Sequence, residues 1–405
     1  MEDRMFTRRA FLKGSTLCAL TPLIPAFLKQ TARAARPQRD GRILVVLQFD
    51  GGNDGINTVV PYKDEGYAKH RRTLRLPESR LLKHQDIGLH YALTSLGELL
   101  EAGQLAIVQG VGYPNPSRSH FESMAIWQSA RRDKEDRGGL GWLGRAYDVP
   151  GKAPTNAPAS VYVGPGDIPE ALLGRRAIAS ALTRPEDYVL DPKVDPRLLA
   201  APQGKDDLTA FIRRTTLDAT LTADRMAQVL DDQGDSAAYP RSELGKHLQL
   251  ISRLMKANTG TRVFYTRQGS YDTHAAQFGT HQQLLSDLSA ALGAFWKDLT
   301  GAKLAERVVL LMFSEFGRTV KENNSAGTDH GTAAPVFLAG PGVRGGLVGK
   351  TPSLLELDPK YGDLTVGIDF RQVYATVLTD WLNLSSEQAL GGSFERLPLF
   401  RVAAK

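Results

Sequence analysis

The chain has 405 residues, 42% of them hydrophobic and 23% charged, an ordinary composition for a globular protein with a sizeable core. Much of the net charge of +6 is local: Arg4, Arg8, Arg9, Lys13, Lys29 and Arg33 against Glu2 and Asp3 leave only +2 on the rest, which excludes a basic nucleic-acid surface. The single cysteine, Cys18, also falls in this leader, so disulfides, zinc–thiolate sites and thiol nucleophiles are excluded downstream of it, and no other apolar run is long enough for a stable membrane span.

Thr7-Arg8-Arg9-Ala10-Phe11-Leu12-Lys13 is a twin-arginine signature. A weakly apolar stretch from Gly14 to Leu28, broken by Pro22 and Pro25, follows it, and Ala32-Arg33-Ala34 fits a small-x-small cleavage site. These signals in order predict a signal peptide over residues 1–34, passage through the twin-arginine translocation machinery and a periplasmic or secreted location. Leu17 stands where a lipoprotein signal needs a small residue before its cysteine.

Residues 35–41 read as a linker, and 42–405 as one domain. Continuous, β-branched apolar runs predict buried strands from Arg42 to Phe49, Leu105 to Gln109, Ser160 to Val163, Arg262 to Thr266, Arg307 to Phe313 and Val336 to Ala339. Helical patterns lie between them, at Leu93 to Ala102, Phe121 to Ala130, Leu208 to Leu230, Glu243 to Ala257, His281 to Leu299 and Phe370 to Leu382. This alternation predicts a three-layer α/β/α sandwich around a mainly parallel, doubly wound sheet. The stretch from about 131 to 260, rich in Asp, Arg, Pro and Gly before it turns helical, reads as an inserted, mostly helical cap.

In such sheets ligands sit beyond the carboxyl ends of the strands, so the residues after each run matter most. They are Asp50, Asn53 and Asp54; Asn115, Ser117, Arg118, Ser119 and His120; Asp272, His274 and His281; Ser314, Glu315 and Arg318; and, before the last strand, Asp329 and His330. Carboxylates and imidazoles gathered at one rim suit a divalent metal. Taken singly, Asp50 and Asp54 before glycines are turn formers, Asp272 or Thr273 a helix cap, and Glu315 a partner for Arg318. Ser119-His120-Phe121-Glu122 reads as a capping box. A serine there is either a cap or a nucleophile stabilised by the helix N-terminus, with Ser117 as rival and Arg118 either gripping an oxyanion or simply facing solvent.

Five segments carry a family resemblance: Leu47-Gln48-Phe49-Asp50-Gly51-Gly52-Asn53-Asp54-Gly55, Arg118-Ser119-His120-Phe121-Glu122, Tyr271-Asp272-Thr273-His274, Phe313-Ser314-Glu315-Phe316-Gly317-Arg318-Thr319 and Gly327-Thr328-Asp329-His330-Gly331. Together they resemble the alkaline-phosphatase and sulfatase superfamily, and more closely an uncharacterised twin-arginine-exported family, a domain of unknown function, within it. The resemblance implies an alkaline-phosphatase-like fold. It also implies metal ligands at Asp50, Asp272, His274, Glu315 and His330, and a nucleophile at Ser119 or Ser117. Two positions depart from the pattern. Phe316 stands where many members carry a metal-binding histidine, leaving Asp54 or another residue to compensate, and Glu315 replaces the commoner aspartate. A sulfatase of the formylglycine type is excluded because no cysteine is available. The expectation is an exported, metal-dependent hydrolase of phosphate or sulfate esters, acting on a small-molecule or polymer substrate with zinc first, and manganese or calcium as alternatives. The rival expectation is a non-catalytic metal-binding or scaffold protein of the cell envelope on the same fold.

Overall fold

The structure is a computed structural model that describes residues 41–149, 151–152, 158–183 and 237–401. The expected signal peptide, nearly all of the linker and the helical pattern at Leu208 to Leu230 lie outside the described residues.

The strands in chain order are β1 (Ile43–Phe49), β2 (Val59–Val60), β3 (Leu82–His84), β4 (Ile87–Leu89), β5 (Leu105–Gly112), β6 (Ser160–Val163), β7 (Ala179–Leu182), β8 (Val263–Gln268), β9 (Val308–Ser314), β10 (Ala334–Ala339), β11 (Gly346–Val348) and β12 (Ile368–Asp369). The helices are α1 (Gly55–Thr58), α2 (Glu65–His70), α3 (Thr94–Glu101), α4 (His120–Ser129), α5 (Trp142–Tyr147), α6 (Glu243–Lys256), α7 (Gln277–Gly301), α8 (Phe370–Thr376) and α9 (Ser386–Leu390). The main sheet runs β11-β5-β10-β9-β1-β8-β6-β7, with β12 also on β5, while β2, β4 and β3 make a small separate sheet.

Each predicted strand is present, and the reason is visible in β1 and β9. All their residues are buried, and successive side chains enter opposite faces. Ile43, Val45, Leu47 and Phe49 join Val308, Leu310 and Met312 in a core with α3, α6 and α7. Leu44 and Val46 join Val309, Leu311 and Phe313 in a second core with α4, α5, α8 and α9. This is the three-layer sandwich expected from the sequence. The second core is fastened by aromatic stacking. Trp127 of α4 lies 5.0 Å from Phe313 and 4.4 Å from Phe370, and Trp142 of α5 lies 4.0 Å from Tyr374, centroid to centroid.

Pairings in the main sheet are parallel except those of β10, which is antiparallel to both β5 and β9. A parallel return needs a crossover, commonly a helix. Residues 315–333 between β9 and β10 contain none, so the chain doubles back. The end of β9 and the start of β10 therefore share a rim with the ends of β1, β5 and β8. Of the stretch expected to form a cap, the described parts belong to the sandwich itself. Strands β6 and β7 extend the sheet, α5 and α6 lie in its two covering layers, and residues 184–236 are outside the described residues.

Candidate metal centre

The rim is assembled around one buried cation. Arg318, 1% exposed, donates from Nε to the Gly52 carbonyl at 2.7 Å, from Nη1 to Thr328 at 2.9 Å, and from Nη2 to the carbonyls of Gly51 and Tyr271 and to Asp272 Oδ1 at 2.6 Å. One guanidinium thus ties together the loops after β1, β8 and β9. Gly51 and Gly52 make the close approach feasible. Both have positive φ, 114° and 75°, and a Cβ would sit 2.6 Å from Asp272 N at Gly51 and 2.5 Å from the Phe316 ring at Gly52. Opposite Arg318, an isolated bridge and a bond from Gly331 N to Gly317 O at 2.8 Å hold His330 in place.

Three of the chain's eight histidines meet here, and each has its Nδ1 fixed by an acceptor. His120, the first residue of α4, faces Glu315 Oε1 at 2.8 Å, His274 faces Asp329 Oδ1 at 3.0 Å, and His330 faces the Arg118 carbonyl at 2.7 Å. Carbonyls and carboxylates only accept, so each Nδ1 carries the proton and each Nε2 of a neutral ring presents a lone pair. The Nε2 atoms converge on Asp272 Oδ1, at 3.0 Å for His274, 3.2 Å for His330 and 3.5 Å for His120. His274 and His330 Nε2 are 3.0 Å apart, while the buried His120 Nε2 has no hydrogen-bond partner among the described residues.

Lone pairs facing each other and a carboxylate at such distances repel unless a proton or a metal cation lies among them. Donor atoms around a tetrahedral ion at about 2.0–2.1 Å are spaced by about 3.3 Å, so the 3.0–3.2 Å triangle of Asp272, His274 and His330 fits a divalent ion. His120, Asp272 and His330 lie within 4.8 Å of one another through their ligand atoms. Imidazoles oriented through Nδ1 by carboxylate or carbonyl are the usual support of metal-ligating histidines.

The charges agree with this arrangement. Burial raises the Asp272 carboxyl, but Arg318 outweighs it, helped by His330 and His274 when those rings carry a proton on Nε2, and holds it down to about 2. The hydrogen bond to Glu315 pushes His120 up against the opposing effect of burial. Asp329 is lowered chiefly by its bond to His274.

The sequence-predicted residues divide into groups. Asp272, His274 and His330 come together. Glu315, 1% exposed, stands behind His120, accepting also from Gly51 N–H at 3.0 Å, and does not pair with Arg318. Asp50 bonds Gln48 Nε2 at 3.2 Å, and its carboxyl is raised by burial and then by the charge of Glu315. Asp54 turns away from the rim. It caps α1 and forms a fully buried pair with Arg71 at 2.5 Å, reinforced by Gln277; burial opposes its ionisation, but Arg71 prevails and its carboxyl is lowered.

The expected capping box is not formed. Ser119 is the N-cap of α4 without a side-chain bond, and Glu122 turns to Arg137 at 2.5 Å. Ser117 Oγ accepts the Ser119 N–H at 3.2 Å. The Arg118 side chain reaches Tyr361 O at 2.9 Å and approaches Asp363 at 3.6 Å. Neither Asp272 nor Thr273 caps α7, whose N-cap is Ala276 in the left-handed region. His281 lies buried against Asn53 at 3.0 Å. From the sequence His120 stands at the rim only as part of a helix start. Its position after a strand, like that of His274, was the available signal.

Among solved structures the chain is similar to the lipoteichoic acid synthase LtaP from Listeria monocytogenes, with 11% identity over 88% of this chain and 81% of that one and a TM-score of 0.35. It is also similar to the PsFucS1 sulfatase from Pseudoalteromonas sp., with 10% identity, 96% and 72% coverage and a TM-score of 0.38. A third is the alkaline phosphatase from the Antarctic bacterium TAB5, with 11% identity, 75% and 93% coverage and a TM-score of 0.28. No curated protein matches. A family model described as a protein of unknown function, DUF1501, matches residues 94–389, a span that includes His120, Asp272, His274, Glu315 and His330, and the chain belongs to that family.

Proposed function

We propose that this protein is an exported, zinc-dependent hydrolase of phosphate or sulfate esters. The observation that carries the reading is the convergence of three Nδ1-anchored imidazoles on Asp272. Nitrogen-rich donors favour zinc over calcium, which prefers oxygen ligands throughout. His274, His330, Asp272 and His120 would hold the ion, which when bound supplies Lewis-acid polarisation of an ester oxygen and acidifies an attacking oxygen.

The chain's own residues do the rest. Ser119 stands beside His120 at the head of α4, and its hydroxyl is not spent on a cap, so it is the nucleophile of this reading. Ser117 is the less suited of the two because its Oγ already receives a backbone N–H. Arg118, drawn toward Tyr361 and Asp363, orients His330 through its carbonyl. Asp50, beside Glu315 and Arg267, would hold or release a proton at the edge of the site. Export rests on the twin-arginine leader, and among the described residues no helix is long and apolar enough to cross a membrane.

Phe316 supports one other reading, a non-catalytic metal-binding protein of the envelope. Its ring packs on His120 at 4.9 Å and His330 at 4.8 Å, adding an apolar side chain where a second metal would need a donor. Metal analysis of purified protein, followed by phosphomonoesterase, phosphodiesterase and sulfatase assays with zinc, manganese and calcium, separates the two. Zinc-dependent turnover lost in Ser119→Ala and kept in Ser117→Ala is expected. Bound zinc with no turnover on any ester would leave the binder, and equal activity in both variants would remove the serine mechanism.

A further inference from the structure

The opposite end of the sheet carries a second site. Arg42, Arg262 and Arg307 each stand immediately before a strand, namely β1, β8 and β9, which are neighbours and parallel. Adjacent strands are about 4.8 Å apart, so three guanidiniums emerge side by side. They line a cleft of about 1070 Å³ that Lys152 and Arg401 also border. Among the described residues the one carboxylate on its wall, Asp380, is paired with Arg396. Among the described residues none of the five cations forms a salt bridge.

Their bonds go to backbone carbonyls. Arg42 Nη1 donates to Asp380 O at 2.7 Å, Arg262 Nε to Arg42 O at 3.1 Å and Arg307 Nε to Gly41 O at 3.1 Å. Carbonyls occupy some of the five N–H donors on each guanidinium but cancel no charge. Concentrated positive charge of this kind raises the local concentration of anions, and arginine forks match tetrahedral oxyanions bidentately.

We infer that this cleft binds a molecule bearing two or more phosphate or sulfate groups, at a site separate from the metal centre. The volume exceeds what one such group fills, and the half-buried Phe400, stacked on Trp381 at 5.4 Å, gives the ligand an apolar wall. The inference is independent of the hydrolase reading.

Isothermal titration of the full chain with tripolyphosphate, at low salt and with chelator present to keep the metal centre empty, tests it. Saturable binding that weakens as salt rises is expected, at least about tenfold weaker in Arg42→Gln/Arg307→Gln and unchanged in His330→Ala. Lys152→Glu, on an exposed side chain, should also weaken binding several-fold and guards against misfolding of the double variant. Absence of saturable binding, wild-type affinity in folded charge variants, or loss in His330→Ala overturns the assignment. Binding of inorganic sulfate competing with tripolyphosphate would extend it to sulfated ligands, whereas no competition would restrict it to phosphates.

Discussion

Replacing Glu315 by glutamine separates the charge behind His120 from everything else that side chain does. Oε1 accepts from Gly51 N–H at 3.0 Å and from His120 Nδ1 at 2.8 Å, and Oε2 lies 3.0 Å from Ser314 Oγ. A glutamine oxygen in the first position keeps both bonds. Its amide in the second donates to Ser314 Oγ, whose proton then goes to the Phe49 carbonyl at 2.7 Å. Only the negative charge disappears. Losing such support for a metal-bound imidazole weakens affinity roughly 10–100-fold, equivalent to about 1.4–2.7 kcal/mol. Competition titration of Glu315→Gln against a chromophoric chelator should show that rise in zinc Kd, while the melting temperature of the metal-free protein stays close to wild type. Glu315→Ala should differ by leaving the Gly51 N–H without an acceptor, an added stability loss of about 1–3 kcal/mol. Wild-type zinc affinity in both Glu315→Gln and His120→Ala would refute His120 as a ligand.

Other parts of the fold make separate predictions. Asp54→Ala strands Arg71 in the interior and should destabilise by about 3–5 kcal/mol in chemical denaturation, yet leave zinc affinity intact, because Asp54 faces away from the cluster. His90 and His281 are pushed down by burial to about 3 and about 4, so they stay neutral when folded. Above the unfolded value of 6.5 their contribution is complete. As pH falls from there toward the folded values, the unfolded chain takes up protons that the folded one does not. Denaturation midpoints should therefore fall between pH 7 and 4, and the slope should shrink in His90→Gln. Trp127→Ala removes the ring stacked on Phe313 and Phe370, and should destabilise by about 3–5 kcal/mol in the same assay.

The sheet was legible because β1 and β9 are buried on both faces, which leaves an unbroken apolar run with polar residues confined to its ends. The rim was legible for the same reason, since Asp272, Glu315 and His330 lie within four residues of the ends of such runs. What each group does there was not, because it depends on partners far away in the chain. Asp50 and Asp54 look equivalent in sequence, yet positive φ at Gly51 and Gly52 reverses the backbone between them and sends Asp54 down to Arg71, an unremarkable arginine on a short loop. Glu315 carries the right charge for a ligand, but its extra methylene and burial set it against His120 Nδ1.

The same dependence has a thermodynamic consequence. The acceptors that fix the three Nδ1 atoms come from the end of β9, from the loop before β10 and from the segment leading into α4, so the unfolded chain holds no part of the donor geometry. On the proposed reading zinc binding is therefore linked to folding, and zinc that binds the folded chain would raise its apparent stability by an amount that grows with the logarithm of free metal. Arg318 ties the loops after β1, β8 and β9 through its own hydrogen bonds. The added stability should consequently appear mainly as slower hydrogen exchange in residues 271–276 and 327–331, with the strands less affected. Equal slowing throughout the sheet would mean that the metal-free rim is not assembled in advance, and that the ion rather than Arg318 organises it.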